Sequence, residues 1–360
     1  MEPVALIMAG GTGARLYPRS RQAHPKQLIH LLGDGTLIQN TFARLQPVFP
    51  PQHIYTVTTE ELAPLISEQL PALAPTQIIA EPFRRNTAAA LALGTVILER
   101  IYGTDVIVSA VPSDHLISNV REFQIALETA VETAKHADAI VTIGVVPSRA
   151  ETAFGYIQVA DEPLAEQFAV PVYPVRAFAE KPDAATAERF VSAGDFLWNT
   201  GIFVFRADVF WKEFTEHLPD YAELFESLRQ VRDPSLFPEA TEQVYRRIRG
   251  ISFDYGILEK THNVLSVLGT FEWSDLSSWD ELWRLQKKDP RQNVLEGSIY
   301  ALDTKRCYVS AYSKVVALVG VEDLIVVDTD DVLLICRRGS SQRVAEVVDM
   351  FRRKGNTPLL

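Results

Sequence analysis

Two hydrophobic rhythms alternate along the first half of the chain. Short, nearly continuous apolar runs at residues 4–9, 53–58, 76–80, 106–111 and 139–145 read as strands. A run that is apolar on both faces suits a strand buried within a parallel sheet. Between these runs, residues 37–46, 60–69, 87–102 and 121–136 read as helices. In the last of them Phe123, Leu127, Ala130, Val131 and Ala134 recur at helical spacing. Alternation of this kind predicts an α/β fold with a doubly wound, mostly parallel sheet. Ligands of such sheets gather at the carboxyl ends of the strands.

The rhythm changes after Asp289. Val- and Ile-rich runs at residues 314–319, 324–327 and 332–336 are separated by turn formers such as Asp330-Asp331. They predict a small all-β unit, closed by a helix over about residues 342–353. Lys287-Lys288-Asp289-Pro290 reads as the linker, giving domains at residues 1–285 and 290–360.

Composition narrows the function. The chain has 360 residues, 47% of them hydrophobic, which is enough for a sizeable core. Its 35 Lys and Arg against 46 Asp and Glu leave a net charge of -11, the wrong sign for a duplex nucleic-acid binder. No apolar run reaches the ~20 residues that span a bilayer, so no membrane partner is expected. Two cysteines, Cys307 and Cys336, lack metal-ligand spacing and read as reduced thiols of a cytoplasmic protein. The short exposed strands predict a homodimer through sheet edges.

Candidate chemistry begins directly after the first strand, at Ala9-Gly10-Gly11-Thr12-Gly13-Ala14-Arg15-Leu16. Glycines let backbone N–H groups close on phosphate oxygens. Arg15, Arg19, Arg21 and Lys26 follow as cations. No Gly-Lys-Ser/Thr ending makes this a P-loop. Leu16 stands where a dinucleotide fingerprint needs glycine, which argues against a redox enzyme with a dinucleotide cofactor.

Gly10-Gly11-Thr12-Gly13-Ala14-Arg15-Leu16 together with Pro25-Lys26-Gln27 resembles the signature of the sugar nucleotidyltransferases, and its ending is similar to that of mannose-1-phosphate guanylyltransferases. Further blocks resemble that family in its order. They are Glu81-Pro82-Phe83-Arg84-Arg85-Asn86-Thr87, Pro112-Ser113-Asp114-His115, Phe154-Gly155-Tyr156-Ile157, Phe178-Ala179-Glu180-Lys181-Pro182, Trp198-Asn199-Thr200-Gly201, Asp254-Tyr255-Gly256 and Trp273-Ser274-Asp275-Leu276.

The resemblance implies a Rossmann-like nucleotidyltransferase domain with a β-helix-like C-terminal unit. It implies that GTP and mannose 1-phosphate give GDP-mannose and pyrophosphate, with Mg²⁺ as cofactor. Ala9, Gly10, Gly11, Gly13, Glu81, Asn86, Thr87 and Ser113 would contact the nucleotide. Arg15 would neutralise the triphosphate and Lys26 the transferring phosphoryl group. Lys181 would hold the sugar phosphate, with Gly155, Tyr156, Glu180 and Asn199 around the sugar and Lys260 as a further phosphate contact. Asp114 and Asp275 would hold the metal.

Plainer roles stand beside these. Asp114 could be a turn residue, Ser274 or Asp275 a helix cap, and Asn86 or Thr87 the cap of the helix they open. His115 reads as a packing residue, and Trp273 and Trp279 as core aromatics. Another sugar 1-phosphate or nucleotide stays open as substrate. An inactive regulatory subunit would be expected to lose Arg15, Lys26 or a carboxylate, and all are present.

Overall fold

The computed structural model describes residues 1–11, 13–164 and 169–360. Thr12 of the Gly-rich loop lies outside the described residues. By packing, the chain forms two compact units, each discontinuous in sequence. The first holds Met1–Gly10, Ile38–Ser113 and Ile117–Trp273; the second holds Gly11–Leu37, Asp114–Leu116 and Ser274–Leu360. Packing therefore groups the Gly-rich segment and the Asp114 turn with the C-terminal strands, a grouping that a single division near residue 287 does not express.

The strands run β1 (Pro3–Met8), β2 (Ile54–Thr59), β3 (Ile78–Glu81), β4 (Ile107–Pro112), the two-residue β5 (Leu116–Ile117), β6 (Ile140–Val145), β7 (Gly155–Val159), β8 (Val172–Glu180), β9 (Phe196–Arg206), β10 (Val264–Gly269) and the short β11 (Trp273–Ser274). The helices of this stretch are α1 (Leu37–Leu45), α2 (Ala63–Gln69), α3 (Asn86–Tyr102), α4 (Val120–His136), α5 (Ala184–Ala193), α6 (Ala207–His217), α7 (Pro219–Arg229) and α8 (Phe237–Arg247).

Nine of the strands build the sheet of the first unit, in the order β3-β2-β1-β4-β9-β6-β10-β8-β7. β1 is parallel to both neighbours, with Leu6 opposite Tyr55 on β2 and Ala110 on β4. Val4, Ala5, Leu6 and Ile7 are fully buried, as continuous apolar character demands of a central strand. The sheet is mixed. Its parallel part is the β3-β2-β1-β4 run plus the β6–β10 pair, and β7, β8 and β9 add antiparallel pairings.

Helix α3 presents the buried run from Ala88 to Val96 to this sheet. Its Gly94 is there because of close approach: a Cβ would lie 2.4 Å from Leu6 Cδ2. An aromatic cluster of Phe205, Phe210, Phe214, Phe225 and Phe253 fills the core under α6 and α7.

Several element starts differ from expectation; the strand expected from residue 314 already begins at Tyr308. The helix expected from residue 60 starts at Ala63, because Leu62 N closes a turn on Thr59 O. The strand expected from residue 76 starts at Ile78, because Pro75 opens a 3₁₀ turn.

The second unit carries α9 (Trp279–Leu285), then β12 (Val294–Leu302), β13 (Tyr308–Val319), β14 (Leu324–Asp328) and β15 (Leu333–Arg337), and finally α10 (Val344–Arg353). The strands pair in chain order, with β12, β13 and β14 parallel and β15 antiparallel to β14. One core binds the unit together: Trp279, Tyr308, Ile325, Val327, Leu334, Val344 and Val348 pack with Leu16, Tyr17 and Leu31 from the Gly-rich segment. Burying each such side chain stabilises by about 1.5–3 kcal/mol. Among the described residues no helix is long and apolar enough to cross a membrane.

Candidate active site

The second unit holds a pocket of about 340 Å³ lined by Gly13, Arg15, Lys26, Asp114, His115 and Asp275. Gly13 adopts a left-handed backbone, φ 62°. A Cβ there would lie 2.4 Å from Lys26 Cβ and 3.0 Å from Ser20 Oγ. The glycine thus makes the seat for a lysine. Lys26 is buried, and its ammonium donates to Asp114 Oδ2 at 2.9 Å and to the backbone carbonyl of Asp275.

Asp114 follows the end of β4. Burial alone would raise its carboxyl, but the Lys26 and His115 charges hold it below its ordinary value. Asp275 has the opposite balance. Burial pushes it up to about 6, against the pull of Lys26 and a hydrogen bond from Ser277 N. Ser278, not Ser274 or Asp275, caps α9, its hydroxyl accepting from Glu281 N. That leaves Asp275 at the pocket. Two carboxylates lining one pocket fit a hard divalent cation, which takes one or two carboxylates beside substrate phosphates. The Lys26 ammonium balances the charge of Asp114 there.

A second cluster lies in the first unit. The Lys181 ammonium donates to Glu180 Oε1, and both charge and hydrogen bond raise Lys181 over the opposing effect of burial. Gly155 pairs with Glu180 across β7 and β8, and a Cβ there would lie 2.5 Å from Glu180 Oε2. Asn199 donates through Nδ2 to Asp254 Oδ1 at 3.0 Å and accepts from Gly201 N. Burial, with the Glu180 charge adding to it, pushes Asp254 up to about 6. Glu259 Oε1 accepts from Glu180 N at 3.0 Å. Gly155, Glu180, Lys181 and Asn199 are thus brought together.

A third group closes around the end of β3. Glu81 is buried, accepts from the Tyr245 hydroxyl at 2.9 Å, and is pushed by burial up to about 8. Its Oε2 lies 3.6 Å from the place a Cβ of Gly10 would take. At the start of α3, Asn86 Oδ1 accepts from Thr87 N, and Thr87 Oγ1 accepts from Phe253 N. Ser113 is buried, its backbone bonded to Met8 O and to Thr41 Oγ1. Separately, within the second unit, Gly11 O accepts from the Gln27 amide at 3.1 Å.

Three of the expected site residues have protein partners of their own. Ala9 gives its N–H to Val57 O, and its carbonyl accepts from Thr58 Oγ1. Tyr156 is fully buried and its hydroxyl accepts from Glu151 N, so its side chain is core. Lys260 donates to His217 O at 3.4 Å, at the end of α6, and not to the Lys181 cluster. The two tryptophans are structural: Trp279 is fully buried and donates to Tyr17 O, and Trp273 packs on Phe154.

The model of the Nucleotidyl transferase family matches residues 4–292, and that of the MannoseP isomerase/GMP-like beta-helix domain matches residues 297–351. The mannose-1-phosphate guanylyltransferase of Klebsiella pneumoniae is 36% identical over 97% of this chain and 74% of its own length. The chain belongs to the mannose-1-phosphate guanylyltransferase family. The alginate biosynthesis protein AlgA of Pseudomonas aeruginosa is likewise 36% identical, over 98% of this chain and 73% of its own length. A crystal structure described as mannose-1-phosphate geranyltransferase from Thermus thermophilus superposes with a TM-score of 0.87 at 33% identity, covering 98% of this chain and all of its own.

Asp254, Tyr245 and Glu259 each bond a residue of these clusters. Sequence reasoning assigned none of them a role. Asp254 and Glu259 stand in or beside a block already noted for its resemblance, and that was a usable signal. Tyr245 sits inside α8 among ordinary helix residues, and only its hydroxyl's reach to Glu81 singles it out.

Proposed function

We propose that this chain joins GTP and α-D-mannose 1-phosphate into GDP-mannose and pyrophosphate, with Mg²⁺ as cofactor. The observation that carries the reading is the pocket in which Arg15, Lys26, Asp114 and Asp275 stand together. A phosphate oxygen of the sugar phosphate attacks the α-phosphorus in line and pyrophosphate leaves. The nucleophile is already an anion, so no general base is needed; positioning and charge cancellation carry the catalysis.

Each cluster has a part. Asp114 and Asp275 would hold Mg²⁺, which when bound neutralises phosphate oxygens. Lys26, already aimed into the pocket, bears on the transferring phosphoryl group. Arg15 bears on the triphosphate, and the loop glycines let backbone N–H groups approach it. Lys181 draws in the sugar phosphate, and Glu180 and Asn199 take sugar hydroxyls. Glu81 and Asn86 serve the nucleotide at the carboxyl end of β3.

Residues 1–285 and 290–360 are proposed as the two domains of the sequence. A cytoplasmic location is supported by two free cysteines. A homodimer through the C-terminal strands is supported by exposed Tyr300, Tyr312, Val315 and Ile335; light scattering at a monomer mass would remove it. The reaction is tested by supplying Mg²⁺, each of four nucleoside triphosphates and a panel of sugar 1-phosphates, and following pyrophosphate. GTP with mannose 1-phosphate is expected to be fastest. A faster release with another pair would overturn the substrate assignment.

A further inference from the structure

Arg19 and Arg21 read from sequence as phosphate cations, yet both turn toward the C-terminal strands. The Arg21 guanidinium forms a two-pronged pair with Asp331, Nη1 to Oδ2 at 2.8 Å and Nη2 to Oδ1 at 2.5 Å. Asp331 stands in the turn between β14 and β15, where Thr329 Oγ1 donates to it. Arg21 Nε also donates to Pro18 O, which stiffens the loop itself. Arg19 lies 5.5 Å over the Tyr312 ring of β13. The same segment is tied at Tyr17 O by Trp279 and at Gln22 N by Leu360 O. Ala345 of α10 lines the pocket beside Arg15 and Lys26.

We propose that the Arg21–Asp331 pair is a positioning clamp through which the C-terminal strands fix the loop carrying Arg15 and Lys26. The forked geometry fixes both distance and plane, which a lysine at position 21 would not do. Asp331 is about half exposed, at 47%. Such a pair adds little to global stability. Its use is geometrical, because a displacement of about 1 Å at a charge-stabilising group costs up to about a hundredfold in rate. The buried Trp279 tie to Tyr17 O does not involve the clamp, so the fold is expected to survive its opening. The kinetic part of this inference rests on the guanylyl-transfer reading.

The test uses the full chain with Asp331→Ala, Arg21→Ala, the double variant and Asp331→Glu. Each alanine variant is expected to lose roughly ten- to hundredfold in kcat, with melting within about 2 °C of the parent. The double variant should fall no further than either single one, and Asp331→Glu should keep most of the rate. Hydrogen exchange should speed up at the amides of Leu16, Tyr17, Arg19 and Ser20, which the loop now bonds internally. Parental kcat and parental exchange in Asp331→Ala would overturn the clamp, as would losses that multiply in the double variant. Exchange needs no substrate, so a parent chain that made no GDP-mannose would sink the proposed reaction and leave the clamp to be judged separately.

Discussion

Lys26 and Asp114 neutralise each other, Nζ to Oδ2 at 2.9 Å, with the Lys26 side chain only 6% exposed. The pair presents one cation and one anion that substrate and metal would compete for. Lys26→Ala is expected to lose at least ~2 kcal/mol of transition-state stabilisation, seen as a fall in kcat. A loss confined to melting temperature would make Lys26 structural. Asp114→Asn should abolish most turnover with the fold intact, and chelation followed by Mg²⁺ should stop and restart the parent enzyme. Turnover of Asp114→Asn near the parent's at saturating Mg²⁺ would remove Asp114 from the metal role.

Gly13→Ala is expected to hurt more than Gly11→Ala. At Gly13 the added methyl meets Lys26 Cβ and Ser20 Oγ on a left-handed backbone, whereas at Gly11 nothing lies within 4 Å. Left-handed strain costs about 1–2 kcal/mol, and the displaced lysine adds a loss of rate. Melting temperature reads the first effect and kcat the second. Equal melting of the two variants would contradict the seat described for Lys26.

Glu81 sets a pH dependence. Its folded value of about 8 stands above the ordinary 4.5. The folded state therefore holds a proton that the unfolded chain gives up, and stability falls as pH rises from about 4.5 to 8. Glu81→Gln keeps an acceptor for the Tyr245 hydroxyl and removes the titration. The variant should gain on the parent across that range, by at least about 2 kcal/mol at pH 8, and match it near pH 4. Denaturant unfolding at three pH values measures this. A gain independent of pH would refute the assignment.

Lys181→Ala is expected to raise KM for the sugar 1-phosphate about tenfold or more, with KM for GTP little changed, since one charge-assisted hydrogen bond contributes about 1.5–3 kcal/mol. Asp254→Asn should leave Asn199 without its charged acceptor and weaken sugar-phosphate binding less. Titration calorimetry with mannose 1-phosphate alone separates the two. Parental affinity in Lys181→Ala would remove it from the sugar-phosphate role.

Local pattern made a large share of this molecule legible. The buried strands β1, β2, β4 and β6 announced themselves by unbroken apolar runs, and α4 by its stripe from Phe123 to Ala134. Motif residues were legible as residue types, yet their geometry was not. Nothing local says that Ala9 spends its amide on Val57 O, or that Tyr156 is core.

The sequence by itself determined β1 to β4, β6 and α1 to α4, then β13 to β15 and α10, where glycine replaces a side chain, and which cations and carboxylates are available. Those properties follow from hydrophobic period and backbone sterics over a few residues. The tertiary structure alone decided which groups meet. Lys26 reaches Asp114 across 88 residues and Asp275 across 249, and Arg21 reaches Asp331 across 310. Such meetings depend on the order in which strands lie side by side and on one shared core, and no period within a short window carries that information.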